Sequence, residues 1–274
     1  MRYTNFRIAI NHWEHLLCDQ AVKVHRDTWQ GLNTKGKPEM TTYELSHLQM
    51  VVPVANDLPK LEKDIKPNLP WAADHFSERV SGSPLNPGTE WRNWPWGKSA
   101  DKFRIDPASV GDPGKEPIFD HTYAARYWPK FAGTIPGGIL PEERVEALPL
   151  RKGIYFPYGD LGDVVDELND ALTTRQAILP VFFPEDTGLR QGRRKPCSIY
   201  YHFIVNDSRL DIVYALRSCD IIHHLRDDIY LTVRLLLWVI SHLRHEIDPG
   251  LFVMHVTNLH AFANDFRELQ QRRK

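Results

Sequence analysis

Two β-prone runs around a short polar turn constrain this fold more than any other feature of the chain. Residues 198–205 and 210–216 are rich in Ile, Val, Tyr and Phe, and Asn206-Asp207-Ser208 lies between them. Branched and aromatic side chains suit a pleated surface, and Asn, Asp and Ser suit tight turns. The pattern predicts a β-hairpin. Antiparallel pairing sets the start of one strand beside the end of the other. Cys197 lies ten residues before Asp207 and Arg217 ten after it, so the two are expected opposite each other. Ser218, Cys219 and Asp220 follow directly. A thiol, a guanidinium and a hydroxyl therefore collect at one end of a sheet.

The rest of the chain reads as alternating helix and strand. Residues 8–22 have a helical apolar rhythm, and 41–54 read as extended or mixed. The stretch 82–118 is rich in Pro and Gly and reads as irregular connections, with Trp91, Trp94 and Trp96 as a packed aromatic surface or a wall for a planar ligand. An amphipathic helix is expected at 160–172, a buried strand at 177–183 and an apolar helix at 229–245. Asp227-Asp228 precede that helix as its cap, and Pro249-Gly250 stop it. A strand at 251–256 and a last helix at 261–269 complete the reading.

Bulk properties exclude several classes of function. With 274 residues and 42% hydrophobic content the chain can bury a core without staples. A formal net charge of −1 argues against generic binding to nucleic acid or to an anionic membrane. Three cysteines, Cys18, Cys197 and Cys219, do not make a disulfide framework and suit a reducing cytoplasm. The N-terminus has no apolar signal core, and the apolar stretch 230–240 is too short to span a bilayer and carries Arg234. His223-His224 lack metal-motif spacing, so no metal is expected, and no Gly-rich phosphate loop appears.

The end of the hairpin has chemistry to offer. A cation near a thiol favours the thiolate. The same Arg217 can hold a phosphate in a bidentate pair, with Ser218 adding a hydrogen bond. The plain alternative is that Cys197 is a small buried hydrophobe. Asp227 and Asp228 have the same two readings, with one as the helix cap and the other facing a ligand.

Pro196-Cys197, then strand, turn and strand, then Arg217-Ser218-Cys219-Asp220 together resemble thymidylate synthase. Leu225-Arg226-Asp227-Asp228 and Asn258-Leu259-His260-Ala261-Phe262 keep the family order. Weaker resemblances lie upstream: Arg26-Asp27-Thr28 to the N-terminal phosphate loop, Trp91 and Trp94 to paired tryptophans, His121-Thr122-Tyr123 to a Tyr-bearing segment, and Thr174-Arg175-Gln176 to a Ser-Arg-Arg segment. The match is clearest over 160–267. The resemblance implies one α/β domain over 1–274, with a large mixed sheet flanked by helices, and a homodimer. It implies a pyrimidine nucleotide monophosphate as substrate. Arg26, Arg217 and Ser218 would hold the phosphate, joined by Arg175 from the partner subunit. Asp220 would stand at the O2 edge of the ring, Tyr123 would help bind substrate, and His260 would reach the sugar.

Thymidylate synthase reads uracil with an asparagine after its Arg-Ser-Cys-Asp motif, and here Asp228 takes that position. An ionised carboxylate accepts from the N4 amine of cytosine and cannot donate to the O4 of uracil. The resemblance is therefore to the deoxycytidylate hydroxymethylase branch. It implies addition of Cys197 to C6, a one-carbon unit from 5,10-methylenetetrahydrofolate taken at C5, and water addition to give a hydroxymethyl group. Thymidylate synthase activity on a uracil nucleotide, a non-catalytic nucleotide-binding protein and an unrelated Cys–His hydrolase are the alternatives.

Four features depart from the family pattern. Gln176 replaces an arginine, and Phe262 replaces a tyrosine beside His260, which leaves ribose and deoxyribose both open. The early catalytic glutamate falls near Glu78 or Asp74, with Asn68 as another alignment; Glu78 is the expected acid. The sequence ends 14 residues after His260. Thymidylate synthases continue further and close over folate, so the expectation is water rather than hydride as the second reactant.

Overall fold

The computed structural model describes residues 1–29, 32–85, 121–132, 154–188 and 195–272. The tryptophans at 91–96 and most of the Pro/Gly-rich stretch lie outside the described residues. The chain divides into two compact units: Met1–Pro67 with Val165–Ile178 and Phe182–Lys274, and Asn68–Val164 with Leu179–Val181.

The first unit is built on a mixed sheet. Its strands are β1 (Val22–His25), β4 (Thr41–Pro53), β6 (Ser198–Asn206), β7 (Arg209–Leu216), β8 (Cys219–Asp220) and β9 (Asp248–Phe262). The order is β1-β4-β9-β7-β6, with β8 beside β9. The β7–β9 and β8–β9 pairs are parallel, and the others named are antiparallel. Two short strands, β2 (Thr28–Trp29) and β3 (Leu32–Asn33), pair apart from this sheet, and β5 covers Ile178–Pro180. Helices α1 (Phe6–Gln20), α2 (Leu58–Ile65), α6 (Leu225–His242) and α7 (Ala263–Arg272) belong to this unit. The fold is α/β, with a large mixed sheet flanked by helices, as the sequence implied.

Apolar spacing explains the packing. Phe6, Ile10, Trp13 and Leu17 share one face of α1 and are buried. Phe6 meets Phe252 of β9 edge to face at 5.3 Å. Helix α6 buries Ile229, Val233, Leu236 and Val239. At its start Arg226 donates to the Ile65 carbonyl and to Glu14, each at 2.9 Å, which fastens α6 to α1 and α2. No helix among the described residues is long and apolar enough to cross a membrane.

Several boundaries differ from expectation. Helix α6 begins at Leu225, with His224 as its cap position, so Asp227 and Asp228 lie in the first helical turn and do not cap it. Their charges suit the exposed N–H groups there. The helix ends at His242, and Pro249 and Gly250 start β9 instead of stopping α6. A proline near the beginning of a strand need not donate to the ladder. Gly250 is required there: a Cβ would come within 2.0 Å of Asp211 Oδ1, which accepts from Leu251 N at 2.6 Å. This contact sits at the register shift of the β7–β9 pair between Leu210 and Ile212. The strand expected at 177–183 is only Ile178–Pro180, and the last helix starts at Ala263, because Ala261 and Phe262 still belong to β9.

The second unit contains α3 (Trp71–Arg79), α4 (Tyr123–Tyr127) and the start of α5 (Leu161–Asp170). Thr122 caps α4 by accepting from Ala125 N at 3.1 Å. Arg79 is buried, donates to His75 Nε2 and lies 4.0 Å over the Tyr123 ring. Burial, then the Arg79 charge, holds the His75 imidazole neutral, well below its ordinary value. On α3, Asp74 is exposed and Glu78 is half-buried.

Candidate active site

The hairpin turn places the site. Asp207 and Ser208 have φ of 47° and 60°, the left-handed pair of a two-residue I′ turn. The register runs from Asn206 opposite Arg209 to Tyr200 opposite Ala215 and then shifts by one residue, so that Ser198 faces Leu216. One residue beyond, Arg217 N donates to the Cys197 carbonyl at 2.9 Å, so the thiol-bearing and guanidinium-bearing residues face each other. The guanidinium itself turns to the backbone: Nε donates to Pro196 O and Nη2 to Lys195 O, both at 2.9 Å. Arg217 thus clamps the segment that carries Cys197 while remaining exposed. Cys197 is half-buried and Cys219 buried, and neither is in a disulfide.

After Arg217 the chain makes a short parallel pairing with β9. Cys219 lies opposite Leu259 and Asp220 opposite His260, and Ile221 N donates to the His260 carbonyl at 2.9 Å. Ser218 Oγ and His260 Nδ1 are 3.3 Å apart. The Cys219 thiol donates to Asp228 Oδ2 at 3.7 Å. Burial, and then the charges of Asp228 and Asp220, push that thiol well above its ordinary value. Cys219 therefore stays protonated and acts as a donor to Asp228, and it is no nucleophile.

Asp220 is the electrostatic centre of this group. Its Oδ1 accepts from the backbone N–H groups of Ile222 and His223 at 2.9 and 3.1 Å, and Oδ2 lies 2.8 Å from His223 Nδ1. Burial opposes its charge, but the His223 hydrogen bond and the nearby His224, His223 and His260 outweigh it and hold the carboxyl at about 2. Burial likewise opposes protonation of His223, yet Asp220, Asp265 and Glu268 raise it above its ordinary value. For His260 burial wins, and the imidazole is held below its ordinary value.

Arg26 stands on the short link between β1 and β2. Its guanidinium makes a two-point contact with Glu44, through Nε to Oε1 at 3.1 Å and through Nη2 to Oε2. The carboxylate also accepts from Thr42 Oγ1 at 2.7 Å and from Asn258 Nδ2 at 2.6 Å. Burial opposes the charge on Glu44, but these donors outweigh it and keep the carboxyl below its ordinary range. The Arg26 side chain is 59% exposed and that of Glu44 only 6%.

The other expected residues divide by unit. Arg175 is exposed beyond α5, and its carbonyl lies 3.2 Å from His202 Nε2. Glu78 and Tyr123 belong to the second unit, and Arg26, Arg175, Cys197, Arg217, Ser218, Asp220, Asp228 and His260 to the first. Two polar contacts of the site escaped sequence reasoning. Glu44 was hidden in a strand, although a carboxylate on the face shared with Thr42 and Met50 was a signal of a paired charge. His223 was weighed as a base in a Cys–His hydrolase and against metal-motif spacing, but its pairing with Asp220, three residues earlier across a turn, was missed.

No curated protein matches the chain. The family model for thymidylate synthase matches residues 149–274, and over that stretch, which holds Cys197, Arg217, Asp220, Asp228 and His260, the chain is similar to an enzyme domain that transfers one-carbon units to C5 of a pyrimidine nucleotide.

Proposed function

We propose that this protein is a cytidylate 5-hydroxymethyltransferase working through Cys197. The observation that carries the cytosine reading is Asp228. It is a carboxylate in the first turn of α6, held against the protonated Cys219 thiol. With one oxygen accepting from that thiol, it suits an amine donor such as cytosine N4 and opposes the O4 of uracil. Cys197 adds to C6, Asp220 stands at the O2 edge and His260 serves the sugar. Arg26, Arg217 and Ser218 hold the phosphate, completed in a homodimer by Arg175 of the partner subunit.

The expected one-carbon donor is 5,10-methylenetetrahydrofolate. A pterin presents amino and ring N–H groups, which a carboxylate accepts. When bound, the folate supplies the methylene carbon.

The test incubates the protein and the folate with CMP, dCMP, UMP or dUMP and weighs the products. A gain of one hydroxymethyl group on a cytosine nucleotide is the expected result. Reaction of the uracil nucleotides alone rejects the role of Asp228, and no reaction with any of the four rejects the transfer reading.

A further inference from the structure

Asp220 does more than a ring-edge contact requires. It binds the backbone of the turn with one oxygen and the His223 imidazole with the other. A buried carboxylate on Nδ1 fixes an imidazole's tautomer and aims its second nitrogen. The pair sits one residue from Cys219, whose thiol meets Asp228, and opposite His260 in the β8–β9 register. Asp265 Oδ2 of α7 lies 3.8 Å from the same His223 nitrogen. The His223 side chain is 21% exposed and that of Asp220 7%, so the imidazole is the member of the pair that water reaches. An imidazole oriented by a buried acid, in the turn that follows β8, is built for proton transfer.

We propose that His223, oriented by Asp220, is the base that activates water in the hydroxymethylation step. This rests on the transfer reading above. In that step C6 carries Cys197 and C5 bears an exocyclic methylene. The water oxygen bonds to the methylene carbon as the exocyclic double bond shifts to C5–C6. The C6–S bond breaks and Cys197 leaves as thiolate. The proton of the attacking water passes to the neutral imidazole of His223, so atoms and charge balance with no further reagent. Asp220, Asp265 and Glu268 face His223 and favour its protonated form, while His224 lies beside it with ring centres 6.4 Å apart. The rate of product formation therefore rises with pH as His223 loses its proton and levels off above.

The experiment compares the unsubstituted protein with His223→Gln, whose amide can donate to Asp220 but does not titrate. Hydroxymethyl product formation falls about 100-fold or more, and the rise with pH disappears. Nucleotide Kd stays within about threefold of the unsubstituted protein, which shows that the variant is folded, and tritium release from C5-labelled nucleotide persists, which places the loss after C5 activation. A readout independent of turnover is the NMR titration of the His223 ring: its midpoint lies above that of an ordinary histidine and drops in Asp220→Asn. A His223→Gln protein that keeps both rate and pH profile overturns the assignment and leaves the transfer reading standing. A His223 midpoint indifferent to Asp220→Asn overturns it as well. Failure of the unsubstituted protein to turn over any pyrimidine nucleotide overturns both.

Discussion

Replacing Asp220 by asparagine gives a pH signature that can be worked out beforehand. The folded protein holds this carboxyl at about 2 against an ordinary value of 3.8. That difference corresponds to about 2 kcal/mol of stability for the charged form. Because the folded value is depressed, the contribution is complete above about pH 4 and is lost as pH falls through the folded value near 2. His223 has the opposite sign. Its value is raised in the folded protein, so its contribution is complete below about pH 6.5 and is lost as pH rises through the raised value. The two share one hydrogen bond, so the stability gap between protein and variant peaks at about pH 5.5 and narrows on both sides. Asparagine keeps the size and an acceptor for the turn N–H groups but carries no charge. Urea unfolding across about pH 3 to 8 measures the gap. A gap that is flat with pH, or below about 0.5 kcal/mol at its maximum, refutes the reasoning.

Other consequences are equally concrete. Gly250→Ala forces Asp211 off the Leu251 N–H and costs about 2 kcal/mol or more in urea unfolding; equal stability shows that the bulge relaxes without cost. Asp228→Asn restores both a donor and an acceptor and moves the kcat/KM preference from cytosine toward uracil nucleotides by about 100-fold, measured by competition with both substrates present. Cys197→Ala removes tritium release from C5 while nucleotide Kd, read by calorimetry, stays within about threefold; retained release means that another group attacks C6.

Sequence pattern made the hairpin legible because two signals agreed there: β-prone composition and turn chemistry. Asp207 and Ser208 adopt the left-handed conformations such a turn demands. The opposition of Cys197 and Arg217 depends on a bulge that the sequence did not show: the two-residue turn alone would set Cys197 opposite Ser218, and the register shift between Ser198 and Tyr200 brings Arg217 there instead. Helix α6 was legible in kind but not at its ends. The acids of its first turn look like caps in a linear reading, and Pro249-Gly250 looks like a stop, but tertiary pairing with β4 and β7 draws that stretch into β9. The site residues were legible where they follow one another, as in 217–220. Glu44 was not, because its partners Arg26 and Asn258 come from 18 residues earlier and 214 later. Long-range polar networks leave no local pattern, since nothing in a strand's own alternation says which donor its carboxylate will meet.

Arg26 bears on the thermodynamics of ligand entry. Its fork is already committed to a carboxylate that has almost no access to solvent. The contact with Glu44 takes the Nε–Nη2 edge of the guanidinium, and in the proposed site its other N–H groups can meet a phosphate. The buried carboxylate then fixes the orientation of the cation before the anion arrives, so less side-chain freedom is lost on association.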